Sequence, residues 1–540
     1  MGMKYGVVYT PPHLAEFTTQ LMANYISVEK PTILDPACGE GALLEAAKAS
    51  IPNAERFVGI DIDEDVNSNI NSSIEFHFND AILPKSGIKS AEFWKAKIGP
   101  VHASPVNPPW SSEKMHQLDE LIAAGFELPE GQFDSYVLFI ELVYHLLDEN
   151  GVAAFILPES FFEEQNRAVR KFLLENTEIK VVADLGEGLF DDVYRGCVVV
   201  VFKKKIPSNN HQTTCFKLGN QEKKNIQANK SSLMDEYSKS CHEVFQTRWT
   251  RDETFEISVE LRVYEQELFD KITNDCINWD DHFAYSRGVE LSKSGRVVEC
   301  SKCNHLQGFT QEQEKKGLKA CSDCKETVLI SEQFIRTVII DSWRHGTTPI
   351  IVGEGLHRYR ISNERFIENG HQSINYKLPE TFQTEKLLIR KTGLGINASL
   401  DSAHRQIIQV IHSIRQKEKT EMPIPLSYLL ALVNSRVVYY IALKRWGETE
   451  WRSHPYMTKA KIFSLSIKPY IGDEKDLKIC SLAQQLNSKY TRETDIELEK
   501  LVMEKYNLTL EQKHTVIQAI NKTQDLGAIN EMKAEVCEFV

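Results

Sequence analysis

Three groups of residues have the types and spacing to do chemistry. The first is Asp35-Pro36-Ala37-Cys38-Gly39-Glu40-Gly41, between the apolar run Thr32–Asp35 and a helical pattern that begins at Ala42. Glycines there let the backbone pass close to a ligand, and the helix N-terminus faces it with unpaired N–H groups. Only G-x-G is present, not the G-x-G-x-x-G that cradles a pyrophosphate, so a ligand carrying an amino-acid carboxylate fits better. Acids recur at the ends of the next two runs: Asp61, suited to a ribose diol, and Asp80, able to accept from an adenine amino group. Singly, each is an ordinary solvated strand end; the series is harder to explain that way.

The second group is Asn107-Pro108-Pro109-Trp110, which follows the apolar run Val101–Val106. Two prolines hold the chain extended and remove two donors. The carbonyls and the Asn oxygen can then accept from a planar amino group, with an aromatic ring beside them for stacking. A rigid turn with a buried Trp is the plainer alternative. The third group is Cys300-x2-Cys303-x17-Cys321-x2-Cys324. Two close pairs can wrap one tetrahedral Zn²⁺, and four protein ligands leave no open position, which predicts a structural site. The other cysteines are scattered and read as free thiols in a reducing compartment.

Elements must bring these groups together. Residues 5 to about 205 alternate apolar runs (Thr32–Asp35, Phe57–Asp61, Ile74–Phe78, Val101–Val106, Val152–Leu157, Lys180–Leu185 and Val198–Phe202) with helical patterns, the clearest at Ser135–Leu147. That alternation predicts an α/β fold whose sheet is mostly parallel, with helices on both faces. In such sheets ligands bind at the carboxyl edge, where both the glycine loop and Asn107 fall. Pro207-Ser208-Asn209-Asn210 and the polar stretch after it read as a connection. From about 280 to 470, short β-like runs (Val338–Asp341, Thr348–Val352, Leu387–Arg390) precede one helical run, Ser427–Leu443. The last seventy or so residues are helical in pattern, with Thr509 and Gln512 spaced as a capping box.

The composition, 42% hydrophobic and 26% charged over 540 residues, excludes a disordered or disulfide-stapled chain. The longest apolar run, Val437–Leu443, is too short to span a bilayer, and no signal peptide is evident, which predicts a cytoplasmic protein without membrane contact. Net charge is −13, yet residues 341–470 hold 19 Lys/Arg against 11 Asp/Glu, a balance of +8 that leaves −21 for the rest. Such asymmetry is expected where one module meets a polyanion. Arg358, Arg360, Arg390 and Lys391 are the candidate contacts.

The pair Asp-Pro-Ala-Cys-Gly-Glu-Gly and Asn-Pro-Pro-Trp, in that order and about seventy residues apart, resembles the amino-group S-adenosylmethionine (AdoMet) DNA methyltransferases. With Tyr9-Thr10-Pro11-Pro12 ahead of the loop and a long region after the sheet, the chain resembles their gamma class of N6-adenine enzymes with a TaqI-type specificity domain. The resemblance is specific over 5–205 and looser over 280–470, where Gly355–Arg360, Leu387–Ile396 and Leu426–Tyr440 are similar to pieces of that domain.

The resemblance implies a Rossmann-like, seven-stranded catalytic domain at 1–210 and a connection at 211–280. It further implies a mixed α+β target-recognition domain at 281–470 with a zinc-ribbon insertion near 295–330, and a helical segment at 471–540. Thr10, Asp35, Ala37, Gly39 and Gly41 would hold the methionine part of AdoMet, Asp61 the ribose and Asp80 the adenine. Asn107 and the Pro108 carbonyl would accept the target N6 hydrogens in the turn that Pro109 completes. Trp110 and Phe190 would stack on the flipped base. Trp stands where Tyr or Phe is commoner, and Glu40 where Ser is frequent. The implied partner is double-stranded DNA with a specific site, with a cognate restriction or defence component as a further candidate. No nuclease constellation is evident, so a modification enzyme is expected. Because Asn-Pro-Pro-aromatic also serves RNA adenine, protein glutamine and cytosine N4, these stay open, as does a non-catalytic recognition subunit.

Overall fold

The computed structural model describes residues 10–63, 71–84, 87–110, 116–129, 133–189, 196–251, 254–377, 381–417, 423–447 and 456–539. The chain divides into two compact units, Met1–Gln266 and Glu267–Val540.

The first unit is built on nine strands: β1 (Thr32–Asp35), β2 (Arg56–Asp61), β3 (Glu75–Phe78), β4 (Val101–Val106), β5 (Leu147–Pro158), β6 (Glu178–Gly186), β7 (Cys197–Lys203), β8 (Gln212–Lys217) and β9 (His242–Phe245). They form one sheet in the order β3-β2-β1-β4-β5-β7-β6-β8-β9. The run β3-β2-β1-β4-β5 is parallel throughout, while β7 is antiparallel to both β5 and β6. Buried strands read as unbroken apolar runs because helices cover both faces. Thus all four residues of β1 are buried, as are Cys197–Phe202 of β7.

Among the described residues the sheet has nine strands, not the expected seven. β8 runs parallel to β6 and β9 antiparallel to β8, both inside the stretch read as a connection from 211 onward. Pro207–Asn210 is a turn between β7 and β8 rather than the start of a linker. These strands are short and bury few residues, Thr213, Cys215 and Phe216 in β8 and Val244 in β9, so their periodicity is too weak to stand out in a polar surround.

Two helices matter most to the site. Helix α1 (Pro12–Ala23) begins on Pro12 after an extended Pro11, a start for which proline is preset. Helix α2 (Ala42–Ser50) begins directly after Gly41, whose φ of +84° is a left-handed conformation that side chains resist.

The second unit holds an antiparallel sheet in the order Phe283–Arg287, Ile411–Gln416, Lys386–Arg390, Ala398–Asp401. A second four-stranded sheet includes Thr347–Ile351 and Arg365–Glu368. The single helical run expected at Ser427–Leu443 is two helices, Leu426–Val433 and Arg436–Trp446, bent by 56°. Asn434 and Ser435 make the break. The Asn434 amide exchanges both its hydrogen bonds with the backbone of Ala398, and Ser435 caps the second helix by accepting from Val438 N–H. Among the described residues no single helix is long and apolar enough to cross a membrane; the bent pair is apolar because it is core. Helices Glu474–Ser488, Arg492–Lys505 and Leu510–Asn521 pack into that same core, and the capping box of Thr509 with Gln512 is present.

Candidate active site and metal centre

The glycine loop and the Asn107–Trp110 motif lie about seventy residues apart in sequence but leave the carboxyl ends of neighbouring strands, β1 and β4. Between β1 and α2 the chain turns tightly on Gly39 (φ +48°) and Gly41. A side chain at Gly39 would meet open space, so the loop presents bare backbone outward. Its back is braced. The Cys38 N–H donates to the Ile60 carbonyl at 3.0 Å, and a Cβ on Gly59 would come within 2.8 Å of Cys38 Sγ. Asp61, at the end of β2, accepts from Gly39 N–H at 2.8 Å and from Asp63 N–H at 2.9 Å. Asp80 folds its own turn by accepting from Ile82 N–H at 2.8 Å, and His116 Nε2 lies 3.2 Å from its other oxygen.

Asp35 is fully buried and accepts from Ala37 N–H at 3.1 Å. Burial foremost, and the nearby Asp61 charge as well, push its carboxyl up to about 8. An acid raised in the fold gives stability that is complete below its unfolded value of 3.8 and lost as pH climbs through about 8. Wild type is therefore expected to lose stability relative to Asp35→Asn, on the order of 1 kcal/mol per pH unit, across that window. Melting curves of both proteins at several pH values check this; a pH-independent difference would contradict it.

At the end of β4, Asn107 Nδ2 donates to Thr10 Oγ1 at 3.0 Å, so Thr10, two residues before α1, sets the orientation of the amide. The Pro109 carbonyl accepts from Ser135 Oγ at 2.5 Å, pinning the extended turn. Pro108 is buried within it. Trp110 is only 8% exposed, and its indole N–H donates to the Ile156 carbonyl at 3.3 Å, so most of the ring is core. Phe190 lies outside the described residues. Ser135 and His116 escaped the sequence reading, since each touches a motif residue from a distant segment and carries no local pattern of its own.

In the second unit Cys300, Cys303, Cys321 and Cys324 bring all four Sγ atoms within 4.8 Å of one another. Cys300 to Cys324 is 3.6 Å and Cys303 to Cys321 is 3.7 Å. A tetrahedral zinc with Zn–S near 2.3 Å requires sulfurs about 3.8 Å apart. The two pairs also sit on the same kind of turn. The Cys300 N–H donates to the His305 carbonyl and the Cys300 carbonyl accepts from Asn304 N–H; the Cys321 N–H donates to the Glu326 carbonyl and its carbonyl accepts from Lys325 N–H; both Asn304 and Lys325 have positive φ.

Of the candidate DNA contacts, Arg358 is corrected: it is buried and bonds Asp495 at 2.6 Å. Arg360 pairs with Glu531, and Lys391 lies over the Tyr456 ring. Lys386 and Arg436 are likewise buried against Asp401 and against Asp495 with Glu499. The basic block is thus partly neutralised by acids of the helical tail that a count over 341–470 omits.

Residues 348–467 match the TaqI-like C-terminal specificity domain. The chain is 26% identical over 245 residues to the type II restriction enzyme and methyltransferase RM.BcgI of Heyndrickxia coagulans, covering 40% of this chain and 34% of that one. It is 27% identical over 215 residues to the type II methyltransferase M.TthHB8I of Thermus thermophilus, covering 38% and 46%. The matches therefore span less than half the length of these curated relatives. Among solved structures, the DrdV–DNA complex covers 91% of this chain and 58% of its own at 10% identity and a TM-score of 0.49. The type IIG restriction endonuclease BpuSI covers 99% and 67% at 16% identity and a TM-score of 0.42. Residues 1–277, more than half of the chain and all of the sheet with its two motifs, match the N-6 DNA Methylase model, and the chain belongs to that family.

Proposed function

We propose that this protein transfers a methyl group from AdoMet to the N6 amino group of an adenine flipped out of a specific duplex sequence, within a restriction-modification or related defence system. The observation that carries the reading is the placement of the glycine loop and Asn107-Pro108-Pro109-Trp110 on adjacent strand ends, with the Asn107 amide oriented by Thr10.

AdoMet, when bound, supplies an electrophilic methyl on a sulfonium. The first unit fits it: bare backbone at Gly39, a buried acid at Asp35 beneath the loop, and Asp61 and Asp80 at the next strand ends for the ribose and adenine. Ala37 and Gly41 complete the loop that seats the methionine part. The adenine amino group is planar because its lone pair is delocalised. Acceptors from Asn107 and the Pro108 carbonyl draw on its two hydrogens and favour the pyramidal nitrogen of the transition state. Pro109, held by Ser135, keeps both acceptors in place. The base must leave the stack for N6 to reach them. We assign the exposed rim of Trp110, with Phe190, to stacking. Target recognition is assigned to the second unit. Expression in a host lacking adenine methylation, followed by sequencing with modified-base detection, tests the whole reading. N6-methyladenine at one sequence motif is expected; unmodified DNA, or modified cytosine, would overturn it.

The four-cysteine cluster is assigned to one structural Zn²⁺. Metal binding there is folding free energy, so Cys303→Ser is expected to unfold residues 295–330 and weaken DNA binding more than AdoMet binding. Metal analysis of protein prepared without chelators should give one zinc per chain; its absence would sink the assignment.

A further inference from the structure

The second unit contains a cavity of about 650 Å³ that neither motif explains, formed where the turn after Lys386–Arg390 meets the C-terminal residues 524–531. Its walls are unusual in charge. Arg358 is 1% exposed, yet while its Nε and Nη2 are taken by the Asn434 carbonyl and Asp495, Nη1 has no partner among the described residues. Arg390 is half-buried, Glu354 acts on it only from beyond ion-pair distance, and its buried Nε has no partner among the described residues. Across from them Glu531 gives one oxygen to Arg360 and leaves the other, Oε2, buried without a donor among the described residues. Leu394, Leu526 and Ala528 supply an apolar wall.

Buried donors and acceptors are normally paired, and an unpaired buried group forfeits its hydration without return. Here three such atoms belong to residues lining one cavity, and the volume is in the range of small-molecule sites. Guanidinium groups suit a phosphate, which accepts from several N–H at once. The carboxylate oxygen asks for an N–H, and the apolar wall for a flat face. A nucleotide offers all three.

We propose that this cavity binds a nucleotide, its phosphate on Arg390 and Arg358, its base against Leu394, Leu526 and Ala528 with an N–H to Glu531. The nucleotide comes either free from solution or from a DNA strand. Free-nucleotide binding here is independent of methyl transfer, and AdoMet titration of the same samples separates loss of the first unit from loss of this site.

The test uses full-length protein, its Arg390→Met and Glu531→Gln variants, and calorimetry with inorganic phosphate, AMP and GMP. Salt-dependent binding of a short duplex of mixed sequence is measured alongside. For a free nucleotide, AMP or GMP binds more tightly than phosphate and Arg390→Met weakens it about tenfold or more, the loss expected for one charge-assisted hydrogen bond. Glu531→Gln changes the AMP-to-GMP preference, and duplex binding is unaltered. For a nucleotide of the strand, Arg390→Met weakens duplex binding and lowers the salt slope by about one phosphate. Arg390→Met should not lower the melting temperature, because its guanidinium makes no hydrogen bond or ion pair among the described residues. Phosphate binding as tightly as both nucleotides, a variant that affects neither nucleotide nor duplex, or a marked drop in melting temperature would each overturn the proposal.

Discussion

Asn107→Ala is expected to slow methyl transfer by about 100- to 1000-fold or more while AdoMet binds nearly as before. That is the scale of loss when one preorganised group aimed at developing charge is removed. The amide sits at the end of β4, where its Nδ2 is held by Thr10 and its oxygen is assigned to the target amino group. Asp61→Ala should behave oppositely. Asp61 props Gly39 through a 2.8 Å hydrogen bond, so its loss loosens the loop and weakens AdoMet first. Calorimetry with AdoMet and single-turnover methylation separate the two. If Asn107→Ala lost AdoMet as severely as Asp61→Ala does, the division of labour between β1–β2 and β4 would be wrong.

The largest expected loss of stability comes from a residue in the helical tail. Asp495 is buried between two guanidiniums, 2.6 Å from Arg358 and 2.9 Å from Arg436, and Arg436 also bonds Glu499. Burial pushes the Asp495 carboxyl up, but the two guanidiniums outweigh it and hold the pKa below the ordinary value. Removing one member of a buried ionic cluster leaves an uncompensated charge in low dielectric, at a cost of about 3–5 kcal/mol. Asp495→Ala is therefore expected to destabilise the second unit by roughly that amount, read by denaturant unfolding, with AdoMet binding to the first unit retained. Replacing Arg358 by Met in the same chain removes one cation with the anion and should recover much of the loss. A single Asp495→Ala variant as stable as wild type would show that the cluster is not what holds the tail against Arg358 and the Arg436–Trp446 helix.

How far the sequence carries depends on how local the physics is. The glycine turn after β1, the acids at strand ends, the Asn-Pro-Pro turn and the paired cysteines were legible because each function needs particular residue types a few positions apart. Among the first seven strands, those buried at the middle of the sheet, such as β1 and β7, were legible as continuous apolar runs, and Thr509 with Gln512 because a capping box spans one helical turn. β8 and β9 were not, since a four- to six-residue strand beside a polar surround takes its identity from pairing partners rather than its own pattern. The break at Asn434 depends on the Ala398 backbone, which no helical periodicity announces. Charge misled for the same reason: Arg358 and Arg436 count as basic surface until Asp495 and Glu499 arrive from the tail to bury them. By itself the sequence determined the candidate reacting groups and the strands whose ends carry them. Only the tertiary structure decided which charges reach solvent and which distant side chains hold the reacting groups in place, because burial and pairing are properties of contacts made across the chain.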